Sequence, residues 1–330
     1  MDILTQIQTL NACHGISGQE GAVAQVLAEA ARPFVDEITT DVMGNLICHK
    51  KGKGKRVMLA AHMDSIGLMV THIEEKGFLR VGKVGGVPPA KALHSPVRFQ
   101  NGIRGVVVPD GSVKLKDLTV DDVLIDIGVT SREEAEKLVQ VGDTAVYDLP
   151  AFSQGSRLVS PYLDDRIGCV TLLGVMERMK ETENDLYFVF TVQEEVGLRG
   201  AKTAAWSVDP DYGLAVDVTS ADDEPGSKHG ASSLLGKGAA IKVMDGHIIS
   251  HPEMVKELTE LAKASKIPHQ MDVLRSGGTD AGEIHKSRCG VVSGGVSIPC
   301  RYTHTPCEMV DREDVEACVA LLTAFVESKL

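Results

Sequence analysis

The 330-residue chain is 43% hydrophobic and 24% charged, the proportions of a soluble globular protein long enough for two domains. Its formal net charge of −12 lacks the basic footprint of a nucleic-acid partner, and no stretch approaches the ~20 apolar residues that span a bilayer. Met1-Asp2-Ile3-Leu4-Thr5-Gln6 lacks the regions of a signal peptide. Seven cysteines without a C-x-x-C pair read as reduced core thiols, and the expected compartment is the cytoplasm.

Two helices open the chain. The second is expected to start at Ser17-Gly18-Gln19-Glu20, a capping-box pattern, and to run through Val23, Val26, Leu27 and Ala30 until Pro33 stops it. Strands follow near 35–40 and 46–49. The basic, glycine-punctuated run Lys50-Lys51-Gly52-Lys53-Gly54-Lys55 reads as a solvated hairpin turn into a third strand, 57–61. From about 65 to 155 short valine-rich runs (68–73, 78–81, 97–99, 105–108, 123–127) alternate with Gly, Pro, Asn and Asp. One helix is signalled there, capped by Ser131-Arg132-Glu133-Glu134. His72 and His94 fall in no ligand spacing and read as structural or surface residues.

From 156 onward strands and helices alternate: helix 165–180, strand 186–192, helix 199–205, strands 212–217 and 239–243, helix 252–266, strand 291–294 and helix 314–328. Such alternation predicts an α/β fold whose mostly parallel sheet is covered by helices. The predicted organisation is therefore a catalytic domain of residues 1–64 and 156–330, interrupted by a β-rich insert over 65–155.

The run Leu186-Tyr187-Phe188-Val189-Phe190-Thr191-Val192 ends in Gln193-Glu194-Glu195. Buried acids are costly unless paired or bound to a cation. Neighbours on an extended chain point opposite ways, so Glu194 and Glu195 can serve different tasks. Four other places bring acids or histidines to strand ends or helix starts: His62-Met63-Asp64, Asp164, Asp217 and His304. Ligands of open α/β sheets gather at those ends. Singly, each has a plainer reading, Asp164 as a helix cap and Asp217 as a loop acid facing water. Together, two histidines and three carboxylates suit Zn, Co or Mn. So many acids at one rim would repel unless a pair of divalent ions, bridged by one carboxylate, lay among them.

The chain resembles the dinuclear metalloaminopeptidases that include the glutamyl, lysyl, deblocking and tetrahedral (TET) aminopeptidases, some of whose members carry endoglucanase labels. The resemblance spans nearly the whole length. It rests on seven motifs in the family's order: Ala61-His62-Met63-Asp64, Leu163-Asp164-Asp165-Arg166-Ile167-Gly168, Gln193-Glu194-Glu195-Val196-Gly197-Leu198-Arg199-Gly200-Ala201, Val216-Asp217-Val218-Thr219, Leu235-Gly236-Lys237-Gly238, Gly277-Gly278-Thr279-Asp280-Ala281-Gly282 and His304-Thr305-Pro306. Two positions depart from it: Ala239 where proline is common, and Glu283 where a small residue is usual.

The resemblance implies that Asp164 bridges two divalent metals, Zn or Co, with Mn as an alternative. His62 and Asp217 would complete one site, Glu195 and His304 the other. Glu194 would be the general base and acid toward a metal-activated water, and Asp64 would hydrogen-bond the far ring nitrogen of His62. Asp280 and Arg301 are candidates to line the substrate pocket, though Gly277-Gly278 reads equally as a tight turn. Cys300 and Cys307, which flank His304, read as buried inert thiols. The implied activity is hydrolysis of N-terminal residues from peptide substrates, with no nucleic-acid or membrane partner. The insert would mediate dimerisation, and the dimers would build a tetrahedral dodecamer. A carboxypeptidase or N-acyl amino-acid deacylase on the same dimetal site is the nearest rival. A glycan hydrolase is a further one, disfavoured by one Trp and 4% aromatics.

Overall fold

The computed structural model describes residues 2–111, 113–221, 223–225 and 233–330. Helices α1 (Ile3–Ala12) and α2 (Gly21–Ala31) bury Ile3, Ile7, Leu10, Val23 and Leu27 in the main core. Strands β1 (Glu37–Thr40), β2 (Leu46–Lys50) and β3 (Arg56–His62) follow. The chain then builds a closed six-stranded barrel. Its strands are β4 (Gly67–Ile73), β5 (Leu79–Val84), β6 (Pro96–Phe99), β7 (Arg104–Pro109), β8 (Val123–Asp126) and β9 (Thr144–Tyr147), with short helices α3 (Pro89–Ala92) and α4 (Arg132–Ala135) between them. Inward-pointing Val70, Leu79, Val81, Val97, Phe99, Val107 and Ile125 fill the barrel, and closure leaves no free sheet edge. The Ser131 hydroxyl accepts the Glu134 N–H at 3.3 Å, capping α4.

After the barrel come β10 (Phe152–Gln154), β11 (Arg157–Ser160), α5 (Leu163–Arg178), β12 (Asp185–Thr191), α6 (Arg199–Val208), β13 (Tyr212–Ser220) and β14 (Ala239–Met244). The chain continues with α7 (Pro252–Ala264), β15 (His269–Val273), α8 (Ala281–Ile284), β16 (Val292–Arg301), β17 (Glu308–Asp311) and α9 (Arg312–Glu327). The large sheet runs β1-β2-β12-β3-β13-β16-β17-β11-β10, with β14 on β16 and β15 on β14. Alternation along β3 divides the layers: Val57, Leu59 and Ala61 join the core that holds α5 and α9, whereas Met58 and Ala60 pack with Ala201, Ala204 and Ala205 of α6.

The sheet is mixed: the expected parallel pairing holds at its centre, and most of the flanking pairs are antiparallel. Parallel pairing is confined to β12-β3-β13-β16 and to β14-β15. The other pairs are antiparallel, some across short links (β1-β2, β10-β11, β16-β17) and others between distant segments (β2-β12, β11-β17, β14-β16).

Three local expectations give way. The link through Lys50–Lys55 is no hairpin turn: β12 lies between β2 and β3, and a side chain on Gly52 would meet the Asn184 carbonyl at 2.0 Å as the link crosses the start of β12. Ser17 and Glu20 form no capping box, because both side chains are drawn into the site described below. Cys48, Cys169, Cys300 and Cys318 are buried thiols, but Cys13 is half-buried and Cys289 and Cys307 are exposed.

Candidate metal centre

Parallel register brings three strand ends to one rim. Thr191 lies opposite His62, and Ala215, two residues before Asp217, lies opposite Ala60. The start of α5 delivers Asp164, where Asp164 and Asp165 depart from helical geometry, and the β16–β17 turn delivers His304. Asp164 stands between the imidazoles: its Oδ1 is 3.0 Å from His62 Nε2 and its Oδ2 is 3.2 Å from His304 Nε2. Glu195 Oε2 is 3.2 Å from His304 Nε2. Glu194 Oε2 and Asp217 Oδ1 are each 3.9 Å from His62 Nε2. The six side chains line one cavity of about 490 Å³.

A second layer of groups holds these in place. The Asp64 carboxylate accepts the backbone N–H of Glu194 at 2.9 Å and of Glu195 at 3.3 Å, and the Ser17 hydroxyl at 2.6 Å. Its Oδ1 also lies 3.4 Å from His62 Nδ1, whose nearer acceptor is the Asp64 backbone carbonyl at 3.2 Å. Glu20 accepts the Gln193 N–H at 3.1 Å, at the residue whose positive φ of 55° turns the chain into the two glutamates. Asp165 accepts the N–H groups of His62 and Gly168, at 3.2 and 3.0 Å. Glu308 accepts those of Asp164 and His304, each at 2.8 Å.

Burial pushes the Glu194 carboxyl well above its usual range, with Asp217 and Asp280 adding to the rise against the opposing His62. Burial likewise pushes Asp217 up to about 8 and raises Glu195. For Asp164 burial is outweighed by hydrogen bonds from His304 and His62, which hold its carboxyl low. Both imidazoles are raised, the acids around them overcoming burial. Crowded buried acids of this kind are relieved by protons or by cations. Glu195 Oε1 is buried and has no hydrogen-bond partner. His62, Asp164 and Glu195 offer ligand atoms within 4.8 Å of one another, as do His62, Asp165 and Asp217. With both Asp165 oxygens occupied by backbone N–H groups, Asp164 is the better placed donor. The imidazole and carboxylate set fits a borderline-hard divalent cation.

The model for the M42 glutamyl aminopeptidases matches residues 44–321. The chain belongs to the M42 family. It is 38% identical to the lysyl aminopeptidase of Pyrococcus furiosus, over 95% of this chain and 93% of that one. An aminopeptidase of the archaeon Desulfurococcus kamchatkensis superposes with a TM-score of 0.95 at 40% identity, covering 98% of this chain and 94% of its own. The TET1 peptidase of Pyrococcus horikoshii, which can assemble into a tetrahedron or a large octahedral shell, gives 0.87 at 31% identity, over 98% and 99%.

In this M42 chain the two residues expected along the substrate pocket are engaged by other side chains. Asp280 is buried with Oδ2 accepting the Thr191 hydroxyl at 2.5 Å, and Arg301 is held by both Asp223 oxygens, at 2.6 and 2.8 Å. Neither lines the cavity. The supporting roles of Glu308, Asp165, Ser17 and Glu20 are not read from the sequence, where Ser17 and Glu20 suggest a helix cap and Asp165 stands unassigned inside a motif. Asp165 follows a candidate ligand directly, and Glu308 lies four residues after another, which is the only available hint.

Proposed function

We propose that this chain is a metal-dependent aminopeptidase that removes N-terminal residues from peptides. His62 and Asp217 would hold one divalent cation and Glu195 and His304 a second, with Asp164 offering one oxygen toward each histidine. Zinc, cobalt and manganese all suit these donors. The observation that carries the reading is the Asp164 carboxylate, with one oxygen toward each imidazole and an unpartnered Glu195 oxygen beside it.

When bound, such cations activate a water and polarise the scissile carbonyl. The chain's own contribution to the chemistry is Glu194. It faces the cavity without serving the two-histidine bridge, and burial raises its affinity for a proton. It takes the proton of the attacking water and returns it to the leaving amine, a role worth roughly 10²–10⁴ in rate. Asp64, bonded to the Glu194 N–H, fixes where that carboxylate stands. Restriction to N-terminal residues follows from family membership.

The β-rich insert, 65–155, is proposed as the dimerisation unit of a homo-oligomer of the tetrahedral kind, on the likeness to the TET1 peptidase. Among the described residues no helix is long and apolar enough to cross a membrane. The reduced cysteines and acidic composition support a cytoplasmic setting.

One experiment tests the mechanism. Glu194→Gln should retain its bound metal by elemental analysis and lose roughly 10²–10⁴ in kcat on aminoacyl-amidomethylcoumarins. Retention of most activity removes Glu194 from the role, and hydrolysis of N-acyl amino acids alone removes the aminopeptidase reading. A purely monomeric species in light scattering would remove the assembly.

A further inference from the structure

Besides the cation ligands, the cavity is lined by Leu198, Leu274, His247 and Glu283. The wall is closely built. A side chain on Gly278 would come within 2.0 Å of the His247 ring, and one on Gly282 within 2.6 Å of the His247 Cβ and 3.2 Å of Leu198 Cδ1. The ring therefore lies directly against the glycine-rich segment that carries Glu283. The Glu283 carboxylate is partly exposed and pairs at 2.7 Å with Lys286, an ammonium on the outer side whose side chain is 52% exposed. Lys286 does not line the cavity. Such half-exposed pairs contribute ~1 kcal/mol or less, so another cation can displace it.

Among the described residues no Lys or Arg lines this cavity. Asp280, one turn before Glu283, lies buried behind the wall with Oδ1 unpartnered, which adds negative charge. Apolar sides ending in a carboxylate match a side chain with an apolar stem and a cationic head. They do not match an acidic one.

We propose that Glu283 makes this enzyme select peptides that begin with lysine or arginine, its carboxylate receiving the cationic head while Leu198 and Leu274 flank the stem. The inference rests on the aminopeptidase reading and adds the substrate class.

The test compares kcat/KM of the metal-loaded full-length protein on Lys-, Arg-, Leu- and Glu-amidomethylcoumarins. Lysine and arginine should exceed glutamate by about 100-fold or more. Glu283→Gln should cut the lysine-to-leucine ratio by roughly 10–100-fold, the loss of one charge-assisted hydrogen bond. Glu283→Lys should turn the preference toward glutamate. Lys286→Gln, which removes the competing ammonium, should raise the lysine-to-leucine ratio. A wild-type preference for glutamate would overturn the proposal, as would a lysine-to-leucine ratio unmoved by Glu283→Gln. Aminoacyl hydrolysis without basic preference sinks this inference alone. Hydrolysis of N-acyl amino acids but no aminoacyl substrate sinks it together with the aminopeptidase reading.

Discussion

His304 and Gly86 lie 218 positions apart in the sequence, yet the imidazole Nδ1 is 3.1 Å from the Gly86 carbonyl. A carbonyl can only accept, so Nδ1 carries a hydrogen whatever the charge of the ring, and Nε2 is the nitrogen that faces Asp164 and Glu195, donating to them when protonated and free to ligate a cation when not. The barrel thereby sets the tautomer of a histidine in the α/β layer. His62 follows the same logic, its Nδ1 facing the Asp64 carbonyl while Nε2 faces Asp164. Partners of this kind fix ring orientation and raise ligand basicity.

Gly86→Ala tests that link. The added Cβ would sit 2.5 Å from His304 Nδ1, which the ring must vacate. The expected outcome is a 10–100-fold loss of affinity for the cation beside His304, with circular dichroism unchanged. Titration of the chelated variant with zinc or cobalt reads it. Wild-type affinity would show that the carbonyl does not orient the ring.

Glu308 tests the backbone frame. Its carboxylate is buried and accepts the N–H of Asp164 and of His304. A glutamine keeps one acceptor and turns an NH₂ toward the other N–H. Glu308→Gln should cost about 1–3 kcal/mol in chemical denaturation, the penalty of one unmet buried donor. It should also weaken cation binding, because both side chains hang from the disturbed segments.

The pH dependence of the chelated protein follows from the same crowd of acids. Asp217 is shifted from 3.8 to about 8, and Glu194, Glu195 and Glu308 are shifted up as well, burial leading in each case. An acid with a raised folded pKa binds its proton more tightly when folded. Its stabilisation is therefore complete below the unfolded pKa and is lost as pH rises through the folded one. His62 and His304, also raised, act in the same direction, and the lowered Asp164 acts oppositely at acid pH. The Tm of chelated protein should fall between about pH 4 and pH 8. Cation loading should remove most of that slope, because metal replaces the protons. Parallel melting curves with and without cation check it, and equal slopes would contradict it.

Behind the Asp217 strand lies a fully buried ion pair, Lys242 with Asp272, and Lys242 Nζ also donates to Thr219 Oγ1 at 3.3 Å. Thr219 shares β13 with Asp217 and lines the cavity. Lys242→Met leaves the Asp272 charge buried without its ammonium and should destabilise by about 3–5 kcal/mol. The double variant Lys242→Met/Asp272→Leu should recover much of that loss, since both charges are then gone. Denaturant midpoints of the two variants measure the difference.

Local chemistry carried a good share of the reading. The apolar runs of β3 and β12 and the patterns of α7 and α9 were legible because burial and helical period leave their mark within a few residues. The cation-ligand candidates were legible because acids and histidines following apolar strands have few other reasons to be there. Short strands such as β9, β11, β15 and β17 were not, since four or five residues carry little periodicity. The Ser17–Glu20 pattern misled because two side chains suited to capping were taken by Asp64 and the Gln193 N–H instead.

The amino-acid sequence by itself determined which residue types stand at the ends of the central strands, and that the middle of the chain is β-rich, because both depend on neighbours along the chain. Tertiary structure alone decided the mixed pairing of the sheet. It also decided the hold of Glu308 on the distant Asp164 N–H, the engagement of Asp280 by Thr191 and of Arg301 by Asp223, and the reach of Gly86 to His304. These depend on which segments meet across tens to hundreds of residues, and hydrogen bonds at that range leave no periodic trace in the chain that makes them.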